Sequence, residues 1–541
     1  MKDSAEEKIE IHIIKNEKST KYKISKGTSI AQALKSLGFF VPTVCGGVGR
    51  CGKCKIKIST PVSIDLDLEE KRLLDQNEIN NGIRLACRIP VVDGMKIWVG
   101  EQADLMSLNT KDASLNLNYG CVSEKMGVAI DIGTTTIVLS LVGLSTGIVL
   151  STESSVNPQI VNGADVISRI AYAGDNPSRL KEMQGMVVST INRLIESALK
   201  KADCKKNAIS KAAISGNTVM LHLFLGLNVQ SLGTYPYETN FAGALKKTSR
   251  ETGLNIADDG EIWILPSISA FLGADIVSGI LATKMHESEK MSILIDLGTN
   301  GEIAGGNKYK MVGCSTAAGP AFEGASIKCG SICSNGAIDK VLFNGKDVSY
   351  TTIGNIPPKS ICGSGILDIT AVLLEIGIVL QNGRMLNNNQ AEEKFELGAV
   401  ASRVKEYEGT SAFLISEGES EIVFTQGDVR KVQLAKSAAV TGVMMVMKKL
   451  NIDYEDIDKL YIAGNFGTFL NIENAVKIGL IPKHLKDKII TVGNSSVKGA
   501  VECLLDADHI EECSKIQELI EYFDIGSAEG FQEIYVQNLD F

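Results

Sequence analysis

The stretch Cys45-Gly46-Gly47-Val48-Gly49-Arg50-Cys51-Gly52-Lys53-Cys54 contains three cysteines and four glycines within ten residues. A fourth cysteine, Cys87, completes the spacing C-x5-C-x2-C-x32-C. Glycine adopts positive φ angles without strain, so the backbone N–H groups of such a loop can approach bound sulfur atoms closely. The stretch therefore predicts a tight loop that holds a thiolate-ligated group, with a distant cysteine as the last ligand.

An iron–sulfur cluster explains these cysteines better than zinc does. A single [2Fe–2S] centre is held by three cysteines on one loop and a distant fourth. A zinc site usually has two C-x2-C pairs, whereas only Cys51 and Cys54 form such a pair. The x5 gap resembles that of adrenodoxin-like ferredoxins. We interpret Cys45, Cys51, Cys54 and Cys87 as the metal ligands of a [2Fe–2S] cluster; zinc and cysteines without a ligand role are the alternatives.

The composition and charge narrow the class of protein. Of the 541 residues, 44% are hydrophobic and 22% are charged, as in an ordinary globular protein, and the net charge is −9. An acidic chain argues against nucleic-acid binding, which requires a basic surface. No apolar run reaches the roughly 18 residues of a membrane helix, and Met1–Glu10 lacks the apolar stretch of a signal peptide. We expect a cytoplasmic protein without membrane partners, and a reducing or anaerobic cell would protect its cluster.

Residues 1–100 are predicted to form a β-grasp domain of the ferredoxin type. Ile9–Ile14 alternates between apolar and polar residues, as a strand does, and Tyr22–Ile24 is expected to be its hairpin partner. A short helix starts at Ile30 after two possible N-caps, and a charged helix is expected over Leu68–Leu74. A strand over Ile83–Ile89 brings Cys87 back to the loop. Residues 101–124, rich in Asn, Ser, Leu and Asp, predict a linker.

Residues 125–541 contain an internal duplication. Residues 127–138 predict a strand, a Gly-Thr turn and a second strand, and residues 292–303 repeat that pattern, each copy placing an aspartate before Ile/Leu-Gly-Thr. Residues 213–218 and 461–467 form a second pair, in which Gly-Asn follows a short strand. We therefore expect two similar α/β lobes, roughly 125–285 and 286–541, with a ligand bound between them.

The duplicated turns have the chemistry that a nucleoside triphosphate requires. Backbone amides and hydroxyls bind phosphates, and carboxylates hold Mg²⁺, often through water. The candidate catalytic residues are the carboxylates Asp131, Asp296 and Glu302. The candidate cofactor-binding residues are Gly133, Thr134, Thr135, Gly298, Thr299, Asn300, Gly363, Ser364, Gly365, Gly464, Asn465 and Gly467. Asp131 and Asp296 could alternatively serve as hairpin caps. Residues 363–365 could alternatively form a tight packing turn.

Three of these segments resemble a known superfamily. Asp131-Ile-Gly-Thr-Thr-Thr136, Asp296-Leu-Gly-Thr-Asn-Gly-Glu302 and Ala463-Gly-Asn-Phe-Gly467 look like the phosphate 1, phosphate 2 and adenosine motifs of the actin, sugar kinase and Hsp70 (ASKHA) superfamily. A Walker A pattern is absent from the sequence. The resemblance implies an α+β and α/β multidomain protein, in which a β-grasp [2Fe–2S] ferredoxin domain precedes a duplicated, actin-like ATPase domain.

The combination of the two parts resembles the reductive activators of corrinoid-dependent enzymes. The resemblance spans nearly the whole chain and extends to Ser215–Met220, Ile361–Ile366 and Thr425–Lys436. It implies ATP-dependent transfer of an electron from the cluster to cob(II)alamin of a corrinoid protein in a methyltransferase system, which regenerates cob(I)alamin. It further implies ATP and Mg²⁺ as cofactors, an electron donor to the cluster, and a homodimer. An ATP-driven donor to another low-potential enzyme, such as a dehydratase, and a redox-regulated small-molecule kinase are the alternative functions.

The cysteines outside the ligand set are expected to be small buried residues. They are Cys121, Cys204, Cys314, Cys329, Cys333, Cys362, Cys503 and Cys513. A second metal site around Cys314, Cys329 and Cys333 is the alternative interpretation. The favoured interpretation is that these cysteines are neutral thiols buried in the packed interior.

Overall fold

The computed structural model describes most of the chain. The described residues are 8–15, 18–37, 39, 41, 49, 52, 54–62, 64–99, 125–241, 243–298, 300–395, 398–418, 421–464 and 470–541. The linker predicted over 101–124 lies outside them, as do Cys45, Cys51, Thr299, Asn465 and Gly467. Within the described ranges, no helix combines the length and the apolar character that a membrane crossing requires.

The N-terminal part is built on a five-stranded sheet with the order β2-β1-β5-β3-β4. Its elements are β1 (Lys8–Lys15), β2 (Lys18–Ser25), α1 (Ile30–Ser36), β3 (Lys55–Ser59), α2 (Leu68–Leu73), α3 (Gln76–Asn80), β4 (Ile83–Leu85) and β5 (Lys96–Trp98). Strand β1 alternates between buried and exposed residues and pairs antiparallel with β2, as its sequence predicts. Strand β4 ends at Leu85, so Cys87 lies in the turn after it rather than in the predicted strand.

A buried ion pair fixes the segment that carries Cys87. The Arg84 guanidinium donates to both carboxylate oxygens of Glu70, at 2.9 and 2.6 Å, and Glu70 is fully buried. The Leu85 N–H donates to the same carboxylate at 3.0 Å. Asp67 caps α2 through a capping box, which sets the position of Glu70. The turn after β4 is therefore held against α2 in a defined geometry.

The first half of the C-terminal part contains a six-stranded sheet with the order β10-β11-β9-β6-β7-β8. Its elements are β6 (Met126–Ile132), β7 (Thr136–Gly143), β8 (Val149–Val156), α4 (Val166–Ala173), α5 (Pro177–Lys201), β9 (Ile209–Gly216), α6 (Thr218–Leu225), β10 (Leu245–Thr248), α7 (Ser249–Thr252), β11 (Glu261–Ile264) and α8 (Ala274–Thr283). The central strands β6 and β9 are buried along most of their length, because helices pack against the sheet.

The second half contains a six-stranded sheet with the order β22-β21-β12-β13-β14-β23 and two three-stranded sheets. Its strands are β12 (Met291–Leu297), β13 (Gly301–Gly306), β14 (Met311–Thr316), β15 (Ala337–Phe343), β16 (Val348–Thr352), β17 (Ser360–Ile361), β18 (Val404–Tyr407), β19 (Thr410–Ser416), β20 (Ile422–Thr425), β21 (Ile457–Ala463), β22 (Ile489–Gly493) and β23 (Ile520–Tyr522). Its helices are α9 (Gly363–Glu375), α10 (Asn388–Phe395), α11 (Gln426–Leu450), α12 (Ile472–Lys477), α13 (Ser495–Leu505), α14 (Asp508–Leu519) and α15 (Phe531–Gln537).

The two large sheets share one topology, as the duplicated sequence predicts. In the first half β9 is parallel to β6 and to β11, whereas β6, β7 and β8 are antiparallel neighbours. In the second half β21 is parallel to β12 and to β22, whereas β12, β13 and β14 are antiparallel neighbours. The order β11-β9-β6-β7-β8 thus corresponds to β22-β21-β12-β13-β14. One buried apolar core surrounds the first sheet and includes residues of α13 and α14, and a second core lies within the second half.

Helices α8 and α13 occupy corresponding positions after β11 and β22 and cross closely. A Cβ on Gly499 would lie 2.1 Å from the Ser278 carbonyl oxygen, and one on Gly279 would lie 2.9 Å from the Ser495 hydroxyl oxygen. Only glycine permits such backbone proximity. The Ser215, Ser278 and Ser496 hydroxyls are hydrogen-bonded in a buried row beside this crossing, at 2.8 and 2.9 Å. The N-termini of both helices therefore meet at the cleft between the halves.

Candidate functional site

Two of the predicted cluster ligands lie side by side in the ferredoxin-type part. The Cys54 and Cys87 sulfur atoms are 3.2 Å apart, and Ala86 N–H donates to the Cys54 carbonyl oxygen at 2.9 Å. The hydrogen bond from Cys87 lowers the pKa of Cys54 to about 7. Gly49 and Gly52 have φ angles of +82° and +66°, as the glycine-rich loop predicts. Convergent thiols beside a loop of positive-φ glycines fit the donor set of an iron–sulfur cluster.

The first duplicated turn, between β6 and β7, has its carbonyl groups tied back into the protein. The Asn157 side chain donates to the Gly133 carbonyl oxygen at 2.9 Å, and Asn157 N–H donates to that of Thr135 at 2.8 Å. Arg169 donates to the Thr134 carbonyl oxygen at 2.5 Å. In a trans peptide the N–H points opposite to the preceding C=O. The amides that follow these carbonyls are therefore directed toward the cleft, where an anion would accept from them.

Arg169 is a fully buried cation directly behind this turn. Its guanidinium also donates to the Gly163 carbonyl oxygen at 3.0 Å and lies 2.9 Å from the Met220 sulfur. Removal from water lowers its pKa to about 9, which the carboxylates of Asp165 and Glu323 partly offset. A buried positive charge that is neutralised mainly by carbonyl dipoles raises the electrostatic potential at the turn.

The second duplicated turn, between β12 and β13, lies on the facing side of the cleft. Gly298 N–H donates to the Asn300 carbonyl oxygen at 3.0 Å, and both residues line the cleft. Gly464, with a φ of +84°, follows β21, and a Cβ there would lie 2.6 Å from a carboxylate oxygen of Asp296. This glycine is therefore required by both its backbone conformation and its close approach to Asp296.

Four carboxyl groups converge at the bottom of the cleft. Asp131 accepts hydrogen bonds from the Asn494 side chain and the Ser496 hydroxyl, both at 2.9 Å. Asp296 pairs with Glu302 across the β12–β13 ladder, and Asp275 lies at the start of α8. All four line the same cleft. Such an arrangement of oxygen ligands suits a hard divalent cation such as Mg²⁺.

Desolvation raises the pKa of each of these carboxyl groups, and repulsion from neighbouring carboxylates raises the pKa of three of them further. Desolvation raises the pKa of Asp296 to about 8, with added repulsion from Asp275, Asp131 and Glu323. Desolvation and the Asp131 charge raise that of Asp275 to about 7. The pKa of Glu302 lies well above its ordinary value, and that of Asp131 is raised less because Asn494 and Ser496 donate to its charged form. A bound cation would relieve this repulsion, so the cleft fits a metal–nucleotide complex.

A hydrogen bond joins the two halves across the mouth of the cleft. The Thr135 hydroxyl of the first turn donates to the Glu323 carboxylate of the second half at 3.1 Å. Beyond Glu323 the wall of the second half is formed by Phe322, Ile332, Cys333, Gly363 and Ser364. The relative position of the two halves thus depends on groups that also face the cleft.

The structure brings most of the predicted site residues into one cleft. Those that line it are Asp131, Gly133, Thr134, Thr135, Asp296, Gly298, Asn300, Glu302, Gly363, Ser364 and Gly464. Thr299, Asn465 and Gly467 lie outside the described residues. Gly365 is predicted to bind the cofactor but packs inward, because a Cβ there would lie 2.3 Å from the Ile338 carbonyl oxygen. The close packing against β15 explains why this residue is a glycine.

Four further residues contribute to the site although no motif predicted them: Arg169, Asp275, Glu323 and Asn494. The signal for two of them is the duplication itself, since Gly273-Ala-Asp275 begins α8, which follows β11, and Gly493-Asn494 immediately precedes α13, which follows β22. Arg169 lies within an amphipathic helical pattern and Glu323 within a loop. Neither has a local motif, so only the fold brings them to the site.

Most of the remaining described cysteines are buried, as expected. Cys314, Cys362, Cys503 and Cys513 are buried free thiols. Desolvation raises the pKa of Cys314 to about 12, so its thiol stays neutral. Cys204, Cys329 and Cys333 depart from the prediction because they are only partly buried; in addition Cys204 is disulfide-bonded, and Cys333 lines the cleft.

Comparison with known protein families covers almost the entire chain. The model for the 2Fe-2S iron-sulfur cluster binding domain matches residues 13–92. The RACo middle region matches residues 126–288, and the C-terminal domain of RACo, the ASKHA domain, matches residues 290–541. The class is therefore that of a two-part protein, with a [2Fe–2S]-type domain followed by an ASKHA-type ATPase domain.

Relatives with both parts identify the family. The corrinoid activation enzyme RamQ of Eubacterium limosum is 30% identical over 96% of this chain and 97% of its own length. The Co(II) methylated amine-specific corrinoid protein reductase of Methanosarcina barkeri is 22% identical over 77% of each chain. A solved structure of a reductive activator for corrinoid, iron-sulfur protein has a TM-score of 0.71 at 30% identity, over 98% of each chain. This chain belongs to the family of reductive activators of corrinoid proteins.

Proposed function

We propose that this protein reduces the cob(II)alamin of a partner corrinoid protein to cob(I)alamin, with one electron taken through its [2Fe–2S] centre and with ATP as the driving ligand. The observation that carries this proposal is the presence in one chain of a paired-thiol loop and a carboxyl-lined cleft. Relatives that match both parts are named for corrinoid activation and corrinoid-protein reduction. The regenerated cob(I)alamin would be the form that accepts a methyl group.

Cys45, Cys51, Cys54 and Cys87 would hold the cluster. When bound, the cluster accepts and donates one electron at a time. The 3.2 Å separation of the Cys54 and Cys87 sulfurs supports this assignment. The buried Arg84–Glu70 pair holds the turn that carries Cys87, so the ligand does not need to be recruited from a flexible segment. Pre-positioned ligands limit the reorganisation that accompanies a change of charge.

The two duplicated turns would hold the phosphates of ATP from opposite sides. The amides after Gly133 and Thr134, supported by Arg169, face one side, and Gly298, Thr299 and Asn300 face the other. Asp131 and Asp296 would hold Mg²⁺ directly or through water, and Asp296 would also orient the attacking water, together with Glu302 and Asp275. Gly464, with Asn465 and Gly467, would allow the adenosine to lie against the backbone. Residues 363 and 364 at the start of α9 complete the wall.

ATP is needed because the reduction is unfavourable for an ordinary ferredoxin. Plant-type [2Fe–2S] potentials lie near roughly −400 mV, and a one-electron mismatch of about 60 mV changes the equilibrium tenfold. A nucleotide can help only if its two states bind the corrinoid partner with different affinities. We infer that complex formation eases the reduction of the cobalt and that hydrolysis releases the complex. The Thr135–Glu323 contact between the halves is placed to respond to the phosphates.

Several broader features belong to the same proposal. We infer a ferredoxin-type domain over 1–100, a linker over 101–124 and an ATPase domain over 125–541. The protein would act in the cytoplasm, where the free thiols remain reduced. Its partners would be a corrinoid protein of a methyltransferase system and a separate electron donor, and two copies would form a homodimer.

The proposal is tested by mixing reduced protein, Mg²⁺–ATP and a corrinoid protein without oxygen and following the cob(I)alamin absorbance. We expect the signal to rise with ATP and to disappear in Cys54→Ser, which should still bind ATP. Cys503→Ser, in a buried pair remote from both sites, is the control and should behave like the wild type. Catalytic formation of cob(I)alamin at the full rate without ATP would contradict the proposal.

A further inference from the structure

The five-stranded sheet of the ferredoxin-type part has one buried face and one that solvent reaches. Ile11 and Ile13 of β1 and Ile56 and Ile58 of β3 are buried in the apolar core. Successive side chains of a strand point to opposite faces, and Lys57, between two of these isoleucines, is exposed. The residues that alternate with the isoleucines therefore lie on a second face, which we call the open face.

The strand registers bring an aromatic ring and several ammonium groups together on the open face. Trp98 of β5 lies opposite Lys57 of β3, whose ammonium group is 5.5 Å from the centre of the indole ring. In the neighbouring row, His12 of β1 lies opposite both Lys21 of β2 and Lys96 of β5. The open face thus has a partly buried tryptophan that is bordered by cationic side chains.

The open face carries more positive than negative charge. Its lysines are Lys8, Lys21, Lys23, Lys55, Lys57 and Lys96. Two carboxylates neutralise part of this charge, since Glu10 pairs with Lys21 at 2.9 Å and Glu78 pairs with Lys55 at 2.5 Å. The open face therefore keeps an excess of positive charge, although the chain as a whole has a net charge of −9.

Protection of a sheet edge does not explain all of these lysines. Lysine on an edge strand prevents pairing with other chains, which accounts for Lys21 and Lys23 of the edge strand β2. Lys57 and Lys96, by contrast, lie on β3 and β5, which have a neighbouring strand on both sides. The ion pairs among the described residues of this part involve other lysines and arginines. Two exposed cations on inner strands therefore point to a partner that supplies the negative charge.

The open face begins beside the cluster loop. Lys55, the first residue of β3, directly follows Cys54, one of the proposed cluster ligands. Because a strand rises about 3.3 Å per residue, the backbone of Lys57 lies roughly 10 Å from that of Cys54. A redox protein that binds over Lys57 and Trp98 would bring its own redox centre close to the cluster, as electron transfer requires.

We propose that the open face binds an acidic one-electron carrier protein, which reduces the cluster. The proposal rests on the proposed function, in which a separate donor supplies the electron. Carboxylates around the redox centre of the carrier pair with the lysines, and Trp98 provides an apolar contact between them. One electron passes from the reduced carrier to the oxidised cluster, and no proton or covalent bond changes place.

Complementary charges of this kind act mainly on the rate at which two proteins meet. They raise the association rate constant by about 10–10³-fold at low salt, and the gain falls steeply with ionic strength. The Debye length shortens from about 10 Å at 0.1 M salt to about 3 Å at 1 M. Reduction of the cluster by the carrier should therefore slow as salt is added.

The test mixes the oxidised, cluster-loaded protein with the hydroquinone form of an acidic flavodoxin in a stopped-flow instrument without oxygen, and follows the bleaching of the [2Fe–2S] absorbance. We expect the second-order rate constant of Lys57→Glu/Lys96→Glu to be at least tenfold below that of the wild type at low salt, and the two to converge near 1 M salt. Lys15→Glu/Lys18→Glu is the matched control and should react like the wild type. It makes the same charge change at a cross-strand pair of the same sheet, on the side away from the open face.

A second experiment separates the carrier from the corrinoid protein as the occupant of the open face. The wild type and both variants are reduced chemically, mixed with Mg²⁺–ATP and a corrinoid protein, and followed by the cob(I)alamin absorbance. We expect all three to form cob(I)alamin at similar rates, because the chemically reduced cluster no longer depends on the carrier. The visible spectrum of the oxidised proteins checks that they hold equal amounts of cluster.

Four results would overturn the proposal. They are a wild type that the flavodoxin does not reduce, an unchanged rate constant in Lys57→Glu/Lys96→Glu, an equal loss in Lys15→Glu/Lys18→Glu, and slow cob(I)alamin formation by chemically reduced Lys57→Glu/Lys96→Glu, which would assign the open face to the corrinoid protein. A chemically reduced wild type that forms no cob(I)alamin would instead refute the proposed function. The flavodoxin experiment would still report on the open face in that case, because it contains neither ATP nor a corrinoid protein.

Discussion

Asp131 and Asp296 occupy corresponding positions in the two halves, yet their surroundings differ. Asp131 accepts hydrogen bonds from Asn494 and Ser496, which are supplied by the helix of the other half. Asp296 faces the carboxyl groups of Asp275, Asp131 and Glu323, and none of the described side chains donates a hydrogen bond to it. The duplication therefore preserves the fold, but the neighbouring side chains give the two aspartates different hydrogen bonds and different electrostatic surroundings.

The difference indicates a division of labour. A carboxylate held by two donors stays in one orientation and is stabilised in its charged form, which suits a fixed metal ligand. A carboxylate with a raised pKa and repelling neighbours gains the most from a cation or from a proton in transfer. We therefore propose that Asp131 anchors the metal and that Asp296 responds to the bound cation or to a proton in transfer. The following predictions test this contrast.

Asp296→Asn should have the largest effect. We expect ATP hydrolysis to fall by about 10²–10⁴-fold, the usual contribution of a positioned acid–base group, with [2Fe–2S] content unchanged. Asp131→Asn, which keeps its shape and its neighbours, should lose less. Phosphate release under saturating Mg²⁺–ATP measures both, and equal losses in the two variants would contradict the division of labour.

Gly464→Ala should have the next largest effect, on ATP binding. The added methyl group would lie 2.6 Å from an Asp296 carboxylate oxygen, and the residue must keep a φ of +84°. We expect about tenfold weaker ATP binding, in line with a backbone strain of 1–3 kcal/mol, measured by calorimetry. Gly409→Ala, also at positive φ but with open space around the Cβ, is the matched control and should bind ATP normally. Unchanged affinity in Gly464→Ala would show that Asp296 can move aside.

Ser496→Ala removes one of the two donors to Asp131 and should have a moderate effect. A hydrogen bond to a charged group contributes about 1.5–3 kcal/mol, and Asn494 remains in place to hold the carboxylate. We expect the Mg²⁺ concentration for half-maximal hydrolysis to rise several-fold, with little change at saturating Mg²⁺. A fall in the maximal rate as large as that of Asp296→Asn would mean that Asp131 is not merely an anchor.

The smallest expected effect is on the pH dependence of stability. Because the pKa of Asp296 is raised to about 8 and that of Asp275 to about 7, the folded state binds these protons more tightly than the unfolded state does. Their contribution to the free energy of unfolding is therefore present at low pH and is lost as the pH rises from about 4 to about 8. The metal-free wild type should melt at a lower temperature than Asp296→Asn at pH 8, and the difference should vanish near pH 4. Mg²⁺ should raise the melting temperature of the wild type more at pH 8 than at pH 6.

The sequence predicted the parts of the fold that repeat a local pattern. Strand β1, the two strand–turn–strand units and α2 appear where periodicity and turn residues place them. The predicted strand over Ile83–Ile89 was too long, since β4 ends at Leu85. The turn that carries Cys87 depends on the buried Arg84–Glu70 pair, which is a contact between distant segments. Gly365 was assigned to the cofactor although its close neighbour is a strand carbonyl.

Only those residues of the candidate site that belong to a sequence motif could be predicted. The aspartates and glycines of the duplicated turns are recognisable because two copies constrain one another. Asn494 and Ser496 reach Asp131 from more than 360 positions away in sequence, and the hydrogen bonds that distinguish the two aspartates depend on this exchange of helices.

The buried Arg169 behind the first turn has a consequence for the order in which ligands occupy the cleft. A fixed positive charge behind the first turn and four carboxyl groups at the bottom make the cleft strongly polarised. Free phosphate groups would be drawn to the arginine but repelled by the acids, whereas bare Mg²⁺ would experience the opposite forces. Each ligand therefore improves the affinity for the other by the same factor, as thermodynamic reciprocity demands. The cleft is best matched by the preformed metal–nucleotide complex, which cancels both imbalances in a single encounter.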